Sequence, residues 1–223
     1  MDEKIRLRKE VIDEYKKLDT TSISDALDRL GIRGGLLGIK PVVEGTRLCG
    51  QAFTVHYVPC GEIKGTVGDF LDDVEPNEVV VIDNSGRLDC TVWGDIMALS
   101  ASQRKIAGTV IDGVCRDVPV VKSLQYPIFT KGTYMVTGKD RVFVDKVNIP
   151  VSVSGVQVIP GDLIVGDGTG VVVVPLKRAE DVLKIATEIE TKEKLVEQKI
   201  REGCSLKEAR AAVNYHSLQT REA

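Results

Sequence analysis

Four consecutive β-branched residues, Val79-Val80-Val81-Ile82, constrain this chain more than any other feature. Glu75-Pro76-Asn77 before them and Asn84-Ser85-Gly86 after Asp83 are turn formers, so the run reads as a short strand bounded at both ends. A strand with apolar side chains on both faces has to be covered on both. Thr109-Val110-Ile111, bounded by Asp112-Gly113, is a second short strand of the buried type. Between the two lies a run with helical spacing: Ile96, Leu99, Gln103 and Ile106 recur at three- and four-residue steps, and Gly108 ends it. The pattern predicts an α/β fold. Aromatic residues make up only 4% of the chain, so Val, Ile, Leu and Ala must fill its core.

The remaining segments arrange around that centre. Residues 2–18 read as an amphipathic helix, with Ile5, Val11, Ile12, Tyr15 and Leu18 set among charges. Thr20-Thr21-Ser22 supply N-caps to a second helix, with Asp25 in the capping-box position after Ser22; Ile23, Ala26, Leu27 and Leu30 are its buried stripe and Gly31 stops it. The glycine-rich residues 31–41 are a connection. Gln51 to Val58 is a strand closed by Pro59, 62–72 a short helix, and 127–130 another strand. From 134 onward the period changes. Short strands at 142–147, 151–153, 156–158, 163–165 and 171–174 alternate with Gly, Pro and Asp turns, which predicts antiparallel hairpins. Residues 177–202 form a long charged helix whose apolar side is Val182, Leu183, Ile185, Ala186, Ile189, Leu195, Val196 and Ile200; Gly203 caps it, and Ser205 with Glu208 opens a last short helix. No repeat or low-complexity linker interrupts the chain. One domain over 1–223 is therefore expected: a mixed sheet with helices outside, a β-rich second half, a helical N-terminal arm over about 1–35 and C-terminal helices over about 177–215.

Several function classes are disfavoured at once. A net charge of −3 gives no electrostatic reason to expect nucleic acid or an anionic membrane as partner. No apolar run approaches twenty residues, and the first ten residues are charged where a signal peptide is apolar. The five cysteines are widely spaced and lack a CxxC pair, so they are expected to be reduced. The expected location is cytoplasmic. His56 and His216 have no ligand partner at metal-site spacing. Gly166-Asp167-Gly168-Thr169-Gly170 looks like a cofactor loop, but such a loop opens a helix, and here Val171 to Val174 is a strand; it reads as a hairpin turn.

Asp95 stands at the start of the central helix, and Arg116-Asp117 just past the strand that follows it. Alone, Asp95 is an ordinary N-cap worth about 1 kcal/mol, and Arg116-Asp117 an ordinary surface ion pair. Together, Asp-x20-Arg-Asp brings the chain back to one edge of the sheet, where α/β folds bind ligands. Free N–H groups of Asp95, Ile96 and Met97 would hold a carboxylate. Arg116 would grip or polarise an oxygen, and Asp117 or Asp95 would hold a divalent metal. That is a site for a small oxo-acid. A Schiff-base lysine, Lys122 or Lys131, is the alternative nearby.

The central stretch, with WGD, GTVIDGVCRD and PIF, closely resembles the family of 4-hydroxy-4-methyl-2-oxoglutarate aldolases, which also includes the regulators of ribonuclease E activity. TTSISDALDRLG, RLCGQAFTV, EVVVID and GDLIVGDGTGVVVVP extend the likeness over nearly the whole chain. The resemblance implies an α/β sandwich related to swivelling phosphohistidine-type domains, assembled as a homotrimer or homohexamer. It implies a class II pyruvate aldolase using Mg²⁺ or Mn²⁺, with oxaloacetate decarboxylation as a second activity of the same site. Asp117 would bind the metal directly and Asp95 through a water ligand. Arg116 would contact the keto oxygen, and the Gly94 to Met97 backbone would hold the pyruvyl carboxylate. Regulators of the family can lack the Asp after Arg, so Asp117 favours the enzymatic branch. One position departs: family aldolases tend to carry an acid three residues beyond that Asp, where this chain has Val120. A further acid is expected from a neighbouring subunit's C-terminal helix, with Glu193 as the candidate. The rival reading is a non-catalytic regulator that docks on an RNA-processing enzyme, and a third is a related enzyme for a different oxo-acid.

Overall fold

A computed structural model describes residues 5–214. Four parallel strands form its centre, in the spatial order β5 (Ile128–Thr133), β4 (Gly108–Cys115), β3 (Val79–Asp83) and β2 (Leu48–Pro59). The short β1 (Lys40–Pro41) runs antiparallel along β5. At 12 residues β2 is long enough to serve three neighbours. Its start pairs antiparallel with β9 (Leu163–Gly166), its middle with β3, and its end antiparallel with β6 (Val142–Val147). β10 (Val171–Val174) adds to β9, completing an eight-stranded mixed sheet, and β7 (Val151–Val153) pairs with β8 (Val156–Val158) as a separate hairpin. Every residue of β3 and β4 is buried, as the unbroken apolar runs require.

Strand alternation divides the cover. Val80, Ile82 and Ile111 face a core shared with Trp93, Ala98, Ala101 and Val121, under α3 (Asp95–Gln103) and α4 (Val118–Leu124). Val79, Val81 and Val110 face the β7–β8 hairpin, whose Val151, Val153, Val156 and Val158 point inward. Asp83 and Asp112, side by side in register on β3 and β4, fasten that hairpin by accepting the N–H groups of Ser152 (3.2 Å) and Ser154 (3.0 Å). The β9–β10 end is covered by α1 (Lys9–Tyr15), α2 (Thr20–Arg29) and α5 (Ala179–Arg201), followed by α6 (Leu206–Ala212).

Hairpin strands, turns and the last two helices lie where the spacing puts them, and the capping box of Ser205 and Glu208 is formed in both directions. Six expectations need correction. The first helix spans only Lys9–Tyr15, because residues before it run extended: Leu7 N–H donates to Gln51 Oε1 at 3.0 Å, Arg6 pairs with Glu78 at 3.0 Å, and Ile5 is exposed. Helix α2 is not capped by its own Ser22 and Asp25. Asp167, in the β9–β10 turn, accepts both the N–H and the hydroxyl of Thr20, each at 2.8 Å. Residues 62–72 contain no α-helix, only a 3-10 turn over Asp69–Asp73, since Gly65 and Gly68 break the run. Helix α3 buries Ala98 and Ala101, while Ile96 is 79% and Leu99 49% exposed. It ends at Gln103, so Gly108 begins β4 instead, and that strand continues through Asp112-Gly113 to Cys115. On α5, Leu195 and Ile200 are exposed, leaving Val182, Ala186, Ile189 and Val196 as the buried side. All five cysteines are free, and burial pushes the thiols of Cys49 and Cys115 up to about 12. No described helix is long and apolar enough to cross a membrane.

Candidate active site

Where β4 ends, the backbone makes a turn that few residues allow. Arg116 N–H donates to the Trp93 carbonyl (3.0 Å), and Asp117, at the N-cap of α4, adopts φ 58° and ψ 36°. That left-handed conformation is uncommon outside glycine, with Asp among the residues that tolerate it. It turns the Asp117 carboxylate back toward the start of α3. There Oδ2 accepts the Asp95 N–H at 3.2 Å and lies 3.2 Å from Arg116 Nε. Gly94 separates them. A Cβ at Gly94 would meet Asp117 Oδ2 at 2.6 Å and Arg116 Nε at 3.2 Å, so any larger residue would push these two side chains out of this arrangement. Its φ of −147° is ordinary extended backbone.

The sequence pattern therefore converges in space: Gly94, Asp95, Arg116 and Asp117 form one knot at the carboxyl edge of the parallel strands. One part of the expectation changes. Of the three N–H groups assigned to a substrate carboxylate, that of Asp95 is held by Asp117, and that of Ile96 donates to Asp95 Oδ1 at 2.8 Å. Asp117 thus occupies the helix N-terminus where an anion is best stabilised.

Beside the knot opens a cavity of about 610 Å³, bordered by Trp93 to Met97, Arg116, Thr66, Asp69, Thr137 and Lys139. Trp93 is 2% exposed, its ring stacked parallel to Tyr126 with centroids 6.2 Å apart, which fixes the wall from behind. Burial pushes the Tyr126 hydroxyl up, and it shares a 3.0 Å hydrogen bond with Thr109. Cys115, next to Arg116, is held as a thiol by burial and offers no thiolate.

Other candidates lie elsewhere. Lys131 pairs with Asp112 at 2.6 Å, and Lys122 borders a different cavity beside Val42 and Glu44. Val120 is exposed on the first turn of α4. Glu193 sits half-buried on α5, the helix that packs on α1, α2 and the β9–β10 end, and does not border this cavity. His56 faces Asp145 at 3.4 Å, and His216 is outside the described residues. Lys139 and Thr137 are cavity residues that spacing did not reveal. They enter through a loop after β5, and a Gly-Lys-Asp turn carries no chemical signature of its own.

Two acids at the knot suit a hard divalent cation. Asp95 and Asp117 each have one oxygen engaged by a backbone N–H, and each leaves its second oxygen without a hydrogen-bond partner among the described residues. No group of three or more His, Cys, Asp or Glu residues gathers as a metal cage among them. Mg²⁺ is commonly held by one or two carboxylates together with water and substrate oxygens, so a pair of carboxylates fits that ion.

A family model described as RraA-like, Aldolase/RraA, matches residues 20–173, which includes the whole knot. The chain belongs to the RraA-like family. Among RraA-like relatives, protein DlpA of Legionella pneumophila is 42% identical over 86% of this chain. This chain spans only 32% of DlpA's own length. A Halalkalibacterium halodurans protein named "Putative 4-hydroxy-4-methyl-2-oxoglutarate aldolase" is 38% identical over 78% of this chain and 81% of its own. Streptomyces coelicolor RraAS2, described as an unusual member of the RNase ES inhibitor RraA protein family, has a solved structure that matches with a TM-score of 0.79. It is 30% identical, over 85% of this chain and 96% of that one. The RraA-like family thus contains both proteins named as aldolases and proteins named as ribonuclease inhibitors.

Proposed function

We propose that this RraA-like protein is a divalent-metal-dependent pyruvate aldolase. It cleaves a 4-hydroxy-2-oxo acid such as 4-hydroxy-4-methyl-2-oxoglutarate into pyruvate and a second oxo-acid, and it decarboxylates oxaloacetate. The observation that carries this reading is the knot itself: an arginine, two acids and a glycine without room for a Cβ, meeting at the mouth of a cavity. A protein that only docks on a partner has no need of that convergence.

In the retro-aldol direction the C4 hydroxyl loses its proton, the C3–C4 bond breaks, and its electron pair moves to C3 and onto the C2 oxygen as pyruvate enolate. Protonation at C3 then gives pyruvate. Asp117 and Asp95 would hold Mg²⁺ or Mn²⁺, which when bound supplies a Lewis acid for the keto oxygen. Arg116 is placed to stabilise the developing enolate charge. Asp117 orients the Arg116 guanidinium through the 3.2 Å contact and ties it to the start of α3. Asp95, with one carboxylate oxygen free, orders the water that takes the hydroxyl proton. Trp93 and Met97 form the apolar flank of the cavity. The substrate carboxylate lies against the Gly94 to Met97 backbone, where it competes with Asp117 for the Asp95 N–H. Oxaloacetate enters the same scheme with CO₂ as the leaving fragment. We place the enzyme in the cytoplasm as a homotrimer or homohexamer, in which Glu193 of a neighbouring copy would reach this cavity.

The test is pyruvate release from 4-hydroxy-4-methyl-2-oxoglutarate and from oxaloacetate, with Mg²⁺ or Mn²⁺ and with EDTA. Metal-dependent release from both is expected. Release that persists in EDTA would overturn the metal assignment and point to a Schiff-base lysine. No release from either substrate by the folded, metal-supplied protein would overturn the enzymatic reading in favour of a regulator.

A further inference from the structure

Strand β4 changes its pairing on both sides at the same two residues. Toward β5, Ile111 is in register with Thr130 and Val114 with Gly132, so Asp112 and Gly113 together oppose the single residue Lys131. That is a β-bulge, rare between parallel strands and over-represented where a strand end is re-aimed beside a working site. Toward β3, Asp112 is the last residue paired, opposite Asp83, and two residues later Val114 bridges Thr91 instead. The new neighbour is the segment that carries the knot: the Trp93 carbonyl accepts the Arg116 N–H at 3.0 Å, and Gly94 and Asp95 follow.

One ion pair spans the bulge. Lys131 Nζ lies 2.6 Å from Oδ1 of Asp112, which is only 5% exposed, and Asp112 Oδ2 accepts the Ser154 N–H at 3.0 Å. On the β5 side the Thr130 hydroxyl donates to the Gly132 carbonyl at 2.7 Å and accepts the Gly132 N–H at 3.0 Å, clasping the backbone around Lys131. On the β3 side the Gly86 N–H donates to the Asp112 carbonyl at 3.0 Å. A Cβ at Gly113 would meet the Arg87 carbonyl at 3.1 Å, so the same turn presses on the bulge. A buried carboxylate without its cation is strongly unfavourable, so this pair holds β5 and the bulge together.

We propose that Lys131 is a positioning residue for the knot. Its ion pair with Asp112 pins the bulge, and the bulge sets the register at which β4 delivers Arg116 and Asp117 to the start of α3. Lys131 does not border the cavity and acts on it through the strand. Its effect on turnover rests on the aldolase reading; its effect on geometry does not.

The experiment is native-state amide hydrogen exchange by NMR at Arg116, read where the rate does not depend on urea and so reports local opening. Wild type is compared with Lys131→Met, with Lys131→Arg, and with the double variant Asp112→Asn/Lys131→Met, which lacks both the pair and the stranded charge. Arg116 should exchange at least roughly ten-fold faster in Lys131→Met and in the double variant, and within about three-fold of wild type in Lys131→Arg. A wild-type rate in both variants that lack the pair overturns the proposal. Pyruvate release from oxaloacetate by the Mg²⁺-supplied protein should follow the same pattern, with kcat lowered by about ten-fold or more and restored in Lys131→Arg. A loss in Lys131→Arg as complete as in Lys131→Met overturns it too, because arginine keeps the pair but cannot replace a Schiff-base amine. Faster Arg116 exchange in a protein whose wild type releases no pyruvate leaves the bulge assignment standing and sinks the aldolase. Turnover with unchanged Arg116 exchange does the reverse.

Discussion

The hairpin half, β6 to β10 with α5 and α6, and the site half, β3 to β5 with α3 and α4, are built from similar residues under different rules. In the hairpin half, local chemistry and tertiary structure agree. Turns fall on Asn148, Ser154-Gly155 and Gly161, all at positive φ, and β7 and β8 alternate buried, exposed, buried. In the site half the same local rules are broken. Helix α3 turns Ile96 out and alanine in, and a helix N-terminus is filled by a carboxylate 22 residues away. Departures of this kind persist where surrounding contacts over-determine them, and they gather at working sites.

That contrast can be broken by substitution. The largest effect is expected at Arg116. Arg116→Ala should lower kcat by on the order of 10²–10³, with a melting temperature close to wild type, because the side chain is about two-fifths exposed. Steady-state kinetics beside a thermal melt checks both. Next comes a pair of identical changes, one in each half. Gly94→Ala drives a Cβ into the Asp117 carboxylate and should cost on the order of 10–100-fold in kcat/KM, since displacing a positioned group by about 1 Å costs up to roughly 10². Gly155→Ala meets no atom within 4 Å but sits at φ 75°, so it should cost about 1–2 kcal/mol of stability and leave activity alone. Equal activity losses in the two would erase the distinction between the halves.

A smaller effect belongs to Asp167, which joins the hairpin end to α2. Asp167→Asn weakens a cap worth about 1 kcal/mol. Burial alone would raise the Asp167 carboxyl, but hydrogen bonds from Thr20 and Thr169, with the Arg47 charge, hold it below the usual 3.8. A depressed carboxylate stabilises the fold fully above its unfolded value and loses that contribution as pH falls through its folded value. Urea titrations should therefore show the wild-type advantage over Asp167→Asn intact above pH 3.8 and shrinking below it. The smallest change is expected at Ile96→Gln, within about 0.5 kcal/mol because the side chain is exposed. Ala98→Leu, two residues on and on the buried side, should cost about 1–3 kcal/mol by overpacking.

Legibility followed the same division. Strands 142–147, 151–153, 156–158 and 171–174 and the last capping box could be read from the chain because glycine, proline and aspartate set turns through contacts a few residues long. The cap of α2 could not, because its acceptor lies 147 residues away. The convergence of Asp95, Arg116 and Asp117 was legible from helix-then-strand spacing. Sequence gave no sign that Asp117 would claim the Asp95 N–H, since that depends on one backbone dihedral. Lys139 was illegible for a related reason: Thr91 brings it to the cavity through a bridge spanning 46 residues.

Exchange of the pyruvate methyl protons with solvent deuterium, followed by NMR, tests the central claim most directly. The reaction needs only an enolate-stabilising site, whatever the second fragment of the natural substrate. Wild-type protein supplied with Mg²⁺ should exchange the methyl protons, and Arg116→Ala should slow this by on the order of 10² or more. No exchange by the folded wild type, or equal exchange in Arg116→Ala, would contradict the assignment of this knot as the site where pyruvate enolate forms.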